Sequence, residues 1–230
     1  MISENLCAVK SKIENVCKQN SIDESLITLI GVSKTKSVSE MMEAYNAGLR
    51  DFGENYVQEI VEKYPLMPSD AKIHMIGHLQ TNKVKYIIDK VCAIHSVDSL
   101  HLAAEISKQA VKHDLVMPVF IEVNVAEEDT KFGIRVNDVK ELVKEVAKLP
   151  GIYVNGLMTI APYVDNAEDN RQYFDVLRQL SVDINKENID NGYGKHLSMG
   201  MSGDYEVAIE SGATYVRVGT GIFGARNYNI

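Results

Sequence analysis

Residues 196–221 read HLSMGMSGDYEVAIESGATYVRVGTG, and the order of types is strand, helix, strand. HLSMG (196–200) and YVRVG (215–219) are short strand-like runs. Between them DYEVAIES (204–211) has helical spacing, and Gly212 follows where a left-handed residue closes a helix. Ser202 stands just before the helix, at an expected N-cap with acidic residues in the first turn. Two strands joined by a helix imply a right-handed βαβ unit and parallel strands.

The same unit recurs upstream. ITLIGVS (27–33), RDFGE (50–54), IHMIG (73–77), AIHSV (93–97), PVFIEVNV (118–125) and YVNGLMTI (153–160) are each followed by a helical pattern. The helices are expected at 38–48, 55–64, 82–89, 100–113, 137–149 and 167–187, with Gly48 as a further helix-ending glycine. The strands are apolar throughout rather than alternating, as when both faces are covered. An open doubly wound sheet needs the same local pattern. Eight candidate strands in 230 residues, about 25 residues per unit, favour closure into a (β/α)8 barrel of the TIM type. Ahead of the first strand, residues 2–19 place Leu6, Val9, Ile13 and Val16 on one helical face. That extra N-terminal helix is expected across the barrel's N-terminal end or against a partner chain.

Composition narrows the class. A hydrophobic fraction of 45% fills a sizeable core, and a net charge of −8 argues against non-specific nucleic-acid binding. The N-terminus carries Glu4 and Glu14 and lacks the apolar core of a signal peptide, and no apolar run approaches membrane-spanning length. Cys7, Cys17 and Cys92 match no metal or redox spacing. A cytoplasmic protein with no nucleic-acid or membrane partner is expected.

Lys34, in VSKTK, lies just past the end of the first strand, on the rim where such barrels gather functional groups. Partial desolvation there lowers a lysine's pKa toward a free amine that attacks carbonyls. Lys36 is its competitor, or an electrostatic neighbour. In YVRVG, Arg217 faces away from Val216 and Val218, hence into the barrel. An inward guanidinium requires an acceptor: either a buried carboxylate, or the pyridine nitrogen of pyridoxal 5′-phosphate (PLP). Gly219-Thr220-Gly221 and Ser198–Gly203 follow the last two strands, where these barrels build a phosphate cradle. Asn55, beside Glu54, either caps the next helix or meets the cofactor ring. His78 is more in keeping with a structural histidine than a cofactor contact, and Met158 either packs in the core or touches the ring face.

Taken together and in order, VSKTK, FGENYVQE, IGHLQTNK, GLMTIAP and LSMGMSGDYEVAIESGATYVRVGTGIFGAR resemble the pyridoxal phosphate homeostasis proteins, over about residues 5–226. That family is similar to the N-terminal barrel of alanine racemases. The resemblance implies one PLP-binding barrel over residues 1–230, with Lys34 as Schiff-base lysine and Arg217 facing the pyridine nitrogen. Ser198, Ser202, Gly219 and Thr220 would hold the phosphate, with Asn55 near the ring. It also implies a monomer or weak dimer, with PLP-dependent apo-enzymes as recipients. Racemases carry a second domain with a catalytic tyrosine, for which a sequence ending at Ile230 leaves no room.

Three functions compete. A PLP carrier without dedicated catalysis suits all of these residues. A racemase needs a base on each face of the cofactor, and only Lys34 is evident. A cofactor-free Schiff-base aldolase leaves Arg217 without a role. The carrier is the expectation, with a weak racemase-like enzyme as the alternative.

Overall fold

Every main strand pairs in parallel with its neighbours, and the sheet closes on itself. The computed structural model describes residues 1–128, 131–187, 189 and 192–225; Arg226, the last residue of the longest motif, lies outside them. The barrel strands are β1 (Thr28–Val32), β2 (Asp51–Glu54), β3 (Lys72–Met75), β4 (Ala93–Val97), β5 (Met117–Asn124), β7 (Ile152–Met158), β8 (His196–Ser198) and β9 (Tyr215–Val218). β1 pairs with both β2 and β9, and β4 pairs with β5, so the order β4-β3-β2-β1-β9-β8-β7-β5 becomes a ring of eight. The expected (β/α)8 barrel is therefore closed, with strands where the sequence places them. A two-residue strand, β6 (Ile134–Arg135), was not anticipated; it extends the far end of β5.

The helices are α1 (Ile2–Gln19), α2 (Val38–Asn46), α3 (Val57–Lys63), α4 (Leu100–Lys112), α5 (Val139–Ala147), α6 (Arg171–Asn185), α7 (Tyr205–Glu210) and α8 (Thr220–Phe223). Ser37 and Glu40 form a reciprocal capping box that starts α2. Gly48 and Gly212, at φ +90° and +99°, provide the left-handed residues that follow α2 and α7. Two expectations fail locally. The crossover at 82–89 is a 3-10 helix, Thr81–Tyr86, whose buried Val84 is followed by buried Ile87 and Ile88; these β-branched residues favour the α-helix poorly. The helix α1 does not plug the barrel. Its buried stripe of Leu6, Val9, Ile13 and Val16 packs against α2, α7 and α8 in the outer layer.

Most of the core lies between strands and helices. Inside the barrel the only apolar cluster among the described residues is Ala93, Phe120 and Met158. The remaining interior includes buried His74, His95, Ser198 and Arg217, an unusually polar filling. One glycine is indispensable to closure. A Cβ on Gly156 would sit 1.9 Å from the His196 carbonyl oxygen of the adjacent strand, a clash with backbone that side-chain repacking does not relieve. Gly156→Ala is expected to destabilise the protein by about 1–3 kcal/mol or more in urea unfolding. Gly203→Ala, where a Cβ meets nothing within 4 Å, stays within about 0.5 kcal/mol. Equal midpoints for the two variants would contradict this register of β7 and β8.

Candidate functional site at the barrel mouth

Lys34 leaves β1 two residues beyond its end, in phase with Val32, and is half-buried. The turn that carries it is strapped from one side by β2 and α3. Ser33 donates through Oγ to Glu54 Oε1 at 2.7 Å, and Lys63 Nζ donates both to that oxygen and to the Ser33 carbonyl, each at 2.9 Å. Glu59 Oε2 accepts from the Thr35 N–H at 2.8 Å, and Thr35 adopts a left-handed φ of +62°. Glu54 and Lys63 are buried, and burial pushes the Glu54 carboxyl up against the opposing pull of Lys63. Lys36 turns outward from this arrangement: its ammonium donates to the Phe223 carbonyl at 3.0 Å and pairs with Glu40 at 3.3 Å. That contact ties Lys36 to the end of α8.

Arg217 points into the barrel, as the β9 alternation requires, and is 4% exposed. Its Nη1 donates to Ser198 Oγ at 2.6 Å and its Nη2 to the Thr159 carbonyl at 2.7 Å. Both acceptors are neutral. Among the described residues no carboxylate pairs with it directly; Glu122 and Asp204 act only at longer range, and burial draws its pKa down to about 10. The buried ion pair is thus not what holds this cation.

Lys34 and Arg217 line one cavity of about 440 Å³ together with Val32, Ser202, Gly219 and Thr220. Ser202 is not the cap of α7, whose N-cap position is Asp204. Its Oγ instead accepts from the Gly219 and Gly221 N–H groups, both at 3.2 Å. A hydroxyl and two converging amides therefore gather at one edge of the cavity, and Asp204 fixes the loop by accepting from the Met201 N–H at 2.6 Å and from Asn170 Nδ2 at 2.8 Å. This donor set fits a phosphate group.

Three expected site residues fall elsewhere. Ser198 is fully buried beneath Arg217, with Oγ engaged by the guanidinium and by His95 Nδ1 at 2.9 Å, so it is not part of the anion cradle. Met158 packs under the mouth with Ala93 and Phe120 and is not among the residues lining the Lys34 cavity. Asn55 is not the helix cap, since Tyr56 is the N-cap of α3; it lines a neighbouring cavity of about 450 Å³ with Glu122, His78 and Phe132. There His78 stacks on Phe132 at 3.9 Å and lies 3.8 Å from Asp98. Sequence reasoning missed Lys63, Glu122, His74 and His95. The Glu59–Lys63 spacing and the lone Glu122 inside an apolar strand were the available signals.

With this geometry in place the comparisons with known proteins become decisive. The family model for the alanine racemase N-terminal domain matches residues 10–227. The pyridoxal phosphate homeostasis protein of Aquifex aeolicus is 48% identical over 226 residues, covering 98% of each chain. The chain belongs to the pyridoxal phosphate homeostasis protein family. Its counterpart in Escherichia coli K12 is 39% identical over 99% of this chain and 98% of that one. Among solved structures, PipY of Synechococcus elongatus PCC7942 with PLP bound superposes with a TM-score of 0.84 at 30% identity, over 97% of this chain and 100% of that one. An alanine racemase from Corynebacterium glutamicum shares the fold, with a TM-score of 0.71 at 15% identity, over 98% of this chain and 63% of that one.

Glu122 gives the mouth a pH signature. It is 5% exposed, its Oε2 has no partner, and burial with help from Asp98 raises its pKa to about 7, against the pull of Arg217. A raised carboxyl favours the folded state when protonated. That contribution is complete below its unfolded value and is lost as pH rises through about 7. Glu122→Gln should remove a decline of about 3 kcal/mol in unfolding free energy between pH 5 and pH 8. Parallel stability profiles for the variant and the parent would contradict the assignment.

Proposed function

We infer that this protein binds PLP in the Lys34 cavity, as a Schiff base on that lysine, and serves intracellular PLP homeostasis. The observation that carries the reading is the buried Arg217 guanidinium. Among the described residues it has no directly paired carboxylate, and it shares one cavity with a lysine and a phosphate-shaped donor set. PLP supplies an aldehyde that condenses with amines and a ring that withdraws electrons. Lys34 Nζ would supply the amine that condenses with this aldehyde, the aldehyde oxygen being lost as water. Ser202, Thr220 and the amides of Gly219 and Gly221 receive the phosphate. Arg217 would face the pyridine nitrogen as a hydrogen-bond donor and so favour its unprotonated form.

The last assignment favours a carrier over an enzyme. A ring nitrogen facing a cation withdraws electrons weakly, which disfavours transamination and decarboxylation. Tyr193, a conceivable second base, is buried and donates to Ser181 Oγ at 3.0 Å, away from the mouth. Tyr163 lines the cavity, 92% exposed, and is the group through which a weak racemase-like activity would operate. The carrier reading treats residues 1–230 as one PLP-binding domain working in the cytoplasm, with PLP-dependent apo-enzymes as recipients.

Reduction with borohydride should leave a pyridoxyl phosphate adduct on the peptide containing Lys34; an adduct mainly on Lys36 would overturn the assignment. Ser202→Ala and Thr220→Ala should each weaken PLP retention by about 1.5–3 kcal/mol, roughly ten- to a hundred-fold, through lost hydrogen bonds to a charged group. Unchanged affinity in both would place the phosphate elsewhere.

A further inference from the structure

A continuous line of hydrogen bonds crosses the barrel interior and ends on Arg217. Asp51 Oδ1 lies 3.0 Å from His74 Nε2, and His74 Nδ1 lies 3.1 Å from His95 Nε2. His95 Nδ1 then lies 2.9 Å from Ser198 Oγ, which accepts from Arg217 Nη1 at 2.6 Å. The residues come from β2, β3, β4, β8 and β9, so five strands contribute one link each. His74, His95, Ser198 and Arg217 are all buried. The far end is not: Asp51 lines a cleft of about 380 Å³ at the opposite, N-terminal end of the barrel, beside Lys10 and Glu24.

We propose that Asp51, His74, His95 and Ser198 form a positioning relay that fixes the Arg217 guanidinium and transmits a protonation change from the far end of the barrel to the cofactor ring. The proposal rests on the placement of PLP against Arg217 given above.

The proton inventory follows from the partners. Burial opposes a charge on His74, but hydrogen bonds and charge from Asp51 and Cys92 push its pKa up to about 9. His95 is held neutral, first by burial and then by the neighbouring charges of His74 and Arg217. Charged His74 donates to Asp51 and, through Nδ1, to His95 Nε2. His95 then carries its proton on Nδ1 and donates to Ser198 Oγ, which also accepts from Arg217. When one proton leaves, Asp51 retains the donor on His74 Nε2, and His74 Nδ1 becomes an acceptor. His95 must switch to its Nε2–H tautomer, and the Ser198 hydroxyl turns to donate to His95 Nδ1. A hydroxyl that donates is polarised into a stronger acceptor, so its hold on Arg217 Nη1 tightens.

Other groups around the line are few. His74 faces Asp51 on β2, Cys92 at 3.3 Å just before β4, and the Tyr215 ring on β9 at 6.2 Å. His95 stacks on Phe120 of β5 at 4.2 Å and meets Tyr215 edge-on, with His196 of β8 on another side of that tyrosine. Glu122 and Asp204 act on Arg217 itself.

The test uses PLP-loaded and cofactor-free full-length protein. In the loaded protein, the visible absorption of bound PLP should show a step with a midpoint near pH 9, where His74 loses its proton. Asp51→Asn should move the step to lower pH. His95→Phe, whose ring preserves the stack on Phe120, should abolish the step and weaken PLP binding about tenfold. His95→Asn, whose amide reaches Ser198 but not His74, should restore affinity without restoring the step. In cofactor-free protein, 15N NMR of the imidazoles should show His95 exchanging tautomers as His74 titrates. Bound PLP with the same pH profile in all variants would overturn the relay and leave the binding assignment intact. A parent protein that acquires no PLP absorption would overturn the binding assignment instead, while the tautomer measurement would still decide the relay's inner links. A folding defect in His95→Phe would appear as altered thermal unfolding, and Asp51→Asn then carries the test alone.

Discussion

A guanidinium buried to 4% exposure, with neutral oxygens as its direct partners, is the constraint around which the barrel mouth is organised. Removing a cation from water costs several kcal/mol, and a direct carboxylate is the usual compensation. Here the compensation is spread over Ser198, the Thr159 carbonyl and the more distant charges of Glu122 and Asp204. The arrangement keeps Arg217 in place at the wall of the cavity that it lines. An acceptor without a full negative charge, such as a pyridine nitrogen, matches that environment.

The rest of the site is arranged to present one amine opposite this cation. Lys34 sits on a turn rather than in the strand, and turns are mobile unless held. The Glu54–Lys63–Glu59 cluster holds this one by its backbone at Ser33 and Thr35, from a helix on the outer face. Lys36, two residues on, is drawn off to the end of α8. Neighbouring lysines in the sequence are thereby separated in role by what each can reach.

Much of this was legible in the sequence because it follows from periodicity. A strand covered on both faces still alternates, so Val216 and Val218 sent Arg217 inward, and the end of the first apolar run put Lys34 on the rim. What was illegible depended on register between strands. Ser198 looks like part of a glycine- and serine-rich phosphate loop. Yet it pairs with Met158 and Tyr215 inside the ladder, which places its hydroxyl below the cradle. His74 and His95 each read as an isolated histidine in an apolar strand. Only the pairing of β3 with β4 brings their nitrogens within 3.1 Å. The 3-10 crossover and the outward packing of α1 are likewise outcomes of tertiary contact rather than local pattern.

In the proposed reading PLP lies against Arg217, and that contact would determine how the cofactor behaves. A protonated ring would make a strong electron sink, an unprotonated one a weaker sink. The direct measurement is the 15N chemical shift of PLP labelled at its pyridine nitrogen and bound to the protein. The account predicts the shift of an unprotonated, hydrogen-bonded pyridine at neutral pH, changed in Arg217→Leu protein that still retains the cofactor. A pyridinium shift in the parent protein would contradict it.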